Sequence, residues 1–245
     1  MSRFILPAAL VAAITLAALP AGAQETRTLE LAPFDRIAIA SGIAAVVTVG
    51  PAQSVTVEAE NAELLGRMKV DVRAGELRAE IDYNWLDTLL SGGFLTGIFR
   101  DRPAILIRIS TPALLGATSD SGSRVEIDTM SGEDISLEAA SGSSLIVAAL
   151  DGGRVVAESS SGASLSVQAG TCERLDADSS SGASLDMASV QCGEVLADAS
   201  SGASATVFAR ESIDAEASSG ANVHVLGAPA RSRVNSSSGG SVRID

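Results

Sequence analysis

The chain has little of what most enzyme chemistry uses. Its 245 residues include one histidine, His224, and one lysine, Lys69. General-base and metal-hydrolase sites are built mainly on those two types, so such chemistry has almost nothing to stand on. Many serines are present, but no "GxSxG" elbow accompanies them and only His224 could serve them, which argues against a serine nucleophile. Aromatic residues are 3% of the sequence, too few for a large core of bulky side chains. Cysteine occurs twice, at Cys172 and Cys192. That spacing excludes a CxxC redox or zinc motif.

Long apolar runs are confined to the start. "MSRFILPAALVAAITLAALPAGAQ" has Arg3, an apolar stretch from Phe4 to Leu19, Pro20, and the small residues Ala21, Gly22 and Ala23. This is the pattern of a cleaved secretory signal over residues 1–23. It is shorter than a membrane span requires, and the mature chain is expected to carry no transmembrane anchor. Removing it takes only Arg3 from the charged residues, leaving 16 basic against 30 acidic and a net charge of −14. A surface of that sign repels phosphate backbones, so nucleic acid is excluded as a partner.

What the sequence does hold is a repeat. Ser-Gly pairs stand at 121/122, 141/142, 161/162, 181/182, 201/202, 219/220 and 238/239, at spacings of 20, 20, 20, 20, 18 and 19. Self-similarity at such a period marks a solenoid, each repeat one coil stacked on the next. After each pair comes a run of alternating polarity, such as "SSLIVA" at 143–148 or "ASLSVQ" at 163–168. These runs put Val125, Leu145, Leu165 and Leu185 in one inward column, with Ile127, Val147, Val167 and Met187 in the next. The second half of each coil repeats the device. Ile135, Val155, Leu175, Val195 and Ile213 form one inward column there, and Leu137, Ala157, Ala177, Ala197 and Ala215 another. Period two is the signature of strands, and no helical period of useful length appears after residue 103. The expected architecture is an all-β parallel β-helix with coils of about 20 residues, each made of two strands and two corners. Corner serines are expected to hydrogen-bond their equivalents above and below, and corner glycines to supply positive φ.

The strand-like runs at 34–82 and "AILIRIS" at 104–110 read as the first coils of the same helix, with a separate small β domain as the alternative. Residues 24–33 read as a linker, and 34–245 as the β-helix domain. Within it, "YNWLDTLLSGGFLTGIFRDR" at 83–102 breaks the alternation and holds Tyr83, Trp85, Phe94 and Phe99. Two readings stand for this apolar insertion: it folds over the coil stack, or it contacts a partner, a glycan or lipid.

Three sets of side chains fall into phase with the repeat. Glu138, Glu158, Asp178, Asp198 and Glu216 make one outward acidic column. Carboxylates stacked roughly 4.8 Å apart repel by about 1 kcal/mol even in water-like surroundings, and calcium favours such ligands. The paired Gly and Asp of calcium-binding β-roll repeats are absent, however. The column is read as a solvated face, with cation binding the alternative, and neither metal nor cofactor is expected. Asp134, Arg154, Arg174 and Glu194 form a second outward column, a structural charge ladder. Cys172 and Cys192 occupy the same corner of adjacent coils, within disulfide reach, and an oxidising compartment favours the bond. His224 takes an outward strand position, as a surface residue.

The signal, "FDRIAIASGIAAVVTVGPAQSVTVEAE", "ILIRISTPALLGATSDSGSRVEI" and the run of Ser-Gly coils together resemble the head GIN domain family of bacterial auto-transporter adhesins, over roughly residues 34–242. The resemblance implies a right-handed β-helix exported from the cytoplasm, with no catalytic residues to carry over. An auto-transporter carries a membrane barrel after its passenger, whereas the repeats here run to "SVRID". The resemblance is therefore taken to imply export alone: to the periplasm, the outer membrane or the exterior. The expected function is that of a non-enzymatic binding or adhesin-like scaffold, whose partner would be an envelope glycan or another surface protein. Its binding residues are expected in the acidic column or at Trp85, Phe94 and Phe99. A polysaccharide-acting β-helix enzyme and an envelope structural protein without a ligand remain the alternatives.

Overall fold

The computed structural model describes residues 25–82 and 104–245. In chain order the first strands are β1 (Glu25–Leu29), β2 (Arg36–Ile39), β3 (Ala44–Val49) and β4 (Ser54–Ala59). A short helix α1 (Ala62–Arg67) follows, then β5 (Met68–Arg73), β6 (Glu76–Ile81), β7 (Ile105–Thr111) and β8 (Gly116–Ser119). The regular coils comprise β9 (Arg124–Ala139), β10 (Ser144–Ser159), β11 (Ser164–Val167), β12 (Gly170–Ser179), β13 (Ser184–Ala199) and β14 (Ser204–Ala217). The last strands are β15 (Asn222–Leu226), β16 (Arg231–Ser236) and β17 (Ser241–Ile244). The result is a β-solenoid of stacked parallel coils.

Pairing follows the repeat in phase. Leu145 lies beside Val125 and Leu165, and Val155 beside Ile135 and Leu175. All these side chains are buried, as are the alanines at 157, 177, 197 and 215. The small residues leave a thin interior, and its apolar stacking is the main stabilising term. Two details depart from expectation. In β9, β10 and β13 the strand continues through the second corner, because Thr129–Gly132 still pair with Ala149–Gly152 and keep the parallel ladder. That third run sends Met130, Leu150 and Val190 inward.

The Ser-Gly corners are type I′ turns. Ser161 and Gly162 have φ of 52° and 71°, and Ala163 N–H donates to the Ser160 carbonyl at 3.1 Å. The coil-to-coil bond at these corners is made by the backbone, and the expected serine side-chain ladder is not what joins them. Gly142 N–H donates to the Ser161 carbonyl at 3.0 Å and Gly162 N–H to the Ser181 carbonyl at 3.1 Å, while the serine side chains face solvent. A tight turn already orients these groups along the stack, so the hydroxyls are left free for water. Serines at inward positions do bond within the protein: Ser123 Oγ donates to the Ile39 carbonyl at 2.9 Å and Ser143 Oγ to the Ser119 carbonyl at 2.6 Å. Burying a hydroxyl without such a partner would cost a few kcal/mol.

The N-terminal strands join the same stack in a different chain order. Ser41 and Gly42, with φ of 64° and 72°, form a further corner of the same kind between β2 and β3. β2 and β3 pair in parallel with β8 and β9 on one side, and with β6 and β7 on the other. The first coil is therefore held between strands that come later in the chain. Beyond it the sheets turn antiparallel: β4 pairs with β7, β1 with β4, and β5 with β6. Residues 25–29, expected as linker, are thus strand β1, because "ETRTL" supplies an alternating run to the otherwise unpaired edge of β4. Residues 62–67 form the short helix α1, capped by Asn61, whose side chain accepts from Leu64 N–H at 2.9 Å. Residues 83–103 join β6 to β7; Trp85, Phe94 and Phe99 lie outside the described residues.

Candidate functional site

The second half of each coil, after the second corner, builds a flat outward face with three columns of side chains. The acidic column is continuous: Glu138, Glu158, Asp178, Asp198 and Glu216 are direct register partners. Thr118 precedes them and Asn235 follows. Each sits at an outward strand position because its two neighbours in sequence are inward, such as Ala157 and Ser159 around Glu158. Burial raises the Asp198 carboxyl above its ordinary value of 3.8, and the charges of Glu216, Asp178 and Asp214 add to the effect. Like Glu158 and Asp178, Asp198 has a carboxylate on either side in the column, and it is less exposed than the other four. The column is a line, however, and among the described residues no three acidic, histidine or cysteine side chains converge as metal ligands would. Below Asp198 a depression of about 190 Å³ is bordered by Asp178, Glu216, Asn235 and Ser237.

The opposite edge of this face holds the charge ladder, Asp134, Arg154, Arg174 and Glu194, extended by Ser212 and Arg231. Asp176, in the middle column, accepts from Arg154 at 2.6 Å and from Arg174 at 3.3 Å. Farther along, the pairs are loose: Arg231 lies 3.8 Å from Glu194, and Arg233 3.8 Å from Asp214. A recess of about 560 Å³ opens there. Arg231 and Arg233 were not singled out by sequence reasoning, which followed residues repeating in every coil; the signal for them is an Arg-x-Arg at strand spacing in a chain otherwise rich in acids.

Cys172 and Cys192 form a disulfide between adjacent coils, with Cα atoms 4.4 Å apart. Both are buried. His224 lies outward on β15, and its Nε2 is 2.6 Å from an Asp245 carboxylate oxygen. That contact and the guanidinium of Arg243 hold the Asp245 carboxyl below its ordinary value. The histidine is engaged at the surface. At the other end of the solenoid a cleft of about 320 Å³ lies between β1 and β5, with Leu29, Leu65, Met68 and Val70 on its walls. Two of its three cations are paired, Lys69 with Asp82 at 2.8 Å and Arg73 with Asp71 at 2.5 Å; Arg27 is the third.

Comparison with known proteins places this architecture. No protein of curated function matches the sequence. The fold is similar to the crystal structure of "a putative adhesin" from Bacteroides fragilis, at 16% identity and a TM-score of 0.78 over 92% of this chain and 99% of that one. It is also similar to "a putative adhesin" from Parabacteroides merdae, at 12% identity and a TM-score of 0.65 over 92% and 97% of the two chains. A third similar structure is a "Putative lipid binding protein" from Parabacteroides distasonis, at 14% identity and a TM-score of 0.62 over 92% and 98%. At these identities the likeness is one of fold. Residues 33–229 match the model of the family described as "Putative auto-transporter adhesin, head GIN domain", and the chain belongs to that family.

Proposed function

We propose that this protein is an exported, non-enzymatic binding scaffold of the bacterial envelope, adhesin-like in the sense that a rigid solenoid displays recognition columns toward a glycan or another surface protein. The observation that carries the reading is the outward acidic column of five carboxylates held in register. Such a face is preorganised, so binding to it costs little ordering of the protein. Family membership and the signal-like start of the chain support export. The single histidine, engaged by Asp245 at an outward position of β15, supports a role without catalysis.

Glycan arrays and envelope-protein overlays with the mature chain test this, paired with a reducing-end assay on any glycan that binds. Binding without turnover, weakened in Asp178→Asn/Asp198→Asn, is the expected result. Turnover lost in that variant would make the protein an enzyme. Absence of binding to glycans and envelope proteins alike would leave only a structural role.

A further inference from the structure

The recess beside β16 differs from the rest of this acidic molecule. Between residues 112 and 226 the chain has 17 acidic residues against four arginines; from residue 227 onward it has three arginines and one aspartate. Two of the three, Arg231 and Arg233, are outward neighbours on one strand, roughly 6.8 Å apart by strand geometry. They line the recess together with Arg174.

The recess results from a change of coil length. Corner spacing falls from 20 to 18 residues between Ser201 and Ser219. The register slips between Met187 and Gln191 and again between Cys192 and Glu194, so Glu194 pairs with Ser212. The short Ser212 side chain then sits where Arg174, Glu194 and Arg231 stand in the neighbouring coils. Beside it Leu196 presents a half-buried apolar surface. The volume, about 560 Å³, is in the range of pockets that hold a small ligand.

The arginines here are open to a ligand. Arg231 and Arg233 side chains are 71% and 80% exposed, and their carboxylate neighbours at 3.8 Å lie beyond hydrogen-bond length. Guanidinium forks suit a carboxylate, which they grip through two parallel bonds. Glu194 and Asp214 at the same recess are acceptors for hydroxyl groups. Carboxylate grip, hydroxyl acceptors and an apolar patch together describe an acidic sugar.

We propose that this recess binds an oligosaccharide through a single sugar carboxylate held by Arg231 and Arg233. This rests on the binding-scaffold reading and names a ligand class for a different part of the same face. A polyanion is disfavoured. Where the acidic column reaches β16 it is continued by the neutral Asn235, paired with Glu216. One carboxylate at the arginines therefore meets no column acid on its own strand, whereas a chain of carboxylates crossing the face would meet Glu216 and Asp198.

Calorimetric titration of the mature protein with sialyllactose, lactose and polygalacturonate decides the matter. Sialyllactose is expected to bind, and lactose to bind roughly tenfold more weakly or not at all, the scale of losing charge-assisted hydrogen bonds. Arg231→Gln/Arg233→Gln is expected to lose sialyllactose binding by a similar factor, while Arg124→Gln, on β9, retains it; matching thermal melts establish that all three proteins are folded. Equal binding of lactose, unchanged binding by the double variant, tighter binding of polygalacturonate, or no sialyllactose binding would each overturn the proposal. The scaffold reading stands or falls separately, on whether the arrays show any ligand.

Discussion

At the residue scale, Asp198 shows how the coil period acts on single side chains. Its carboxyl keeps its proton to higher pH in the folded chain than in the unfolded one, through burial and then the charges of Glu216, Asp178 and Asp214. In the window just above 3.8 the folded state therefore binds more protons, and stability falls as pH rises through it. Asp198→Asn is expected to raise stability at neutral pH by some tenths of a kcal/mol, the scale of exposed charge pairs. That gain should vanish below the ordinary aspartate range, which urea midpoints at neutral and acid pH will show. The alignment of these acids was legible, because outward and inward positions alternate strictly and the coils repeat at 20 residues. The looseness of Arg231 and Arg233 was not legible, since it depends on where Glu194 and Asp214 come to lie across the stack.

Elements come next in scale, and here the corners and the disulfide do the joining. Each Ser-Gly turn spends a serine in the left-handed region, uncommon for a residue with a Cβ; in return the glycine N–H reaches the next coil's serine carbonyl. Cys172–Cys192 adds a covalent tie across a 20-residue coil. A loop of that size gives about 3 kcal/mol in the chain-entropy estimate. Cys172→Ala/Cys192→Ala is expected to lower the unfolding free energy by about 2 to 3 kcal/mol, measured by urea denaturation of the oxidised parent and the variant. Spacing alone was enough to pair the cysteines, because a parallel stack puts residues one period apart side by side. The same reasoning missed β1, whose antiparallel partner β4 lies outside the repeat.

At the scale of the whole molecule the solenoid is asymmetric. Its N-terminal end is closed by antiparallel strands, and its last strands are open: every residue of β16 is exposed, including Val234 at 47%. Each coil draws its stability from its neighbours, so protection should fall toward that edge. Amide hydrogen exchange is expected to be slowest in β9 to β13 and fastest in β16 and β17; uniform protection along the stack would contradict this gradient. Sequence alone determined the class of fold, the inward columns, the acidic column and the cysteine pair, because all of these follow from one period and strand alternation, which are local. Tertiary structure decided the place of the first coil, where Gly42 N–H meets the Ser121 carbonyl. It also decided the antiparallel end and the arginine recess. Those features arise where the period breaks, and without a period only the packed chain determines which strands become neighbours.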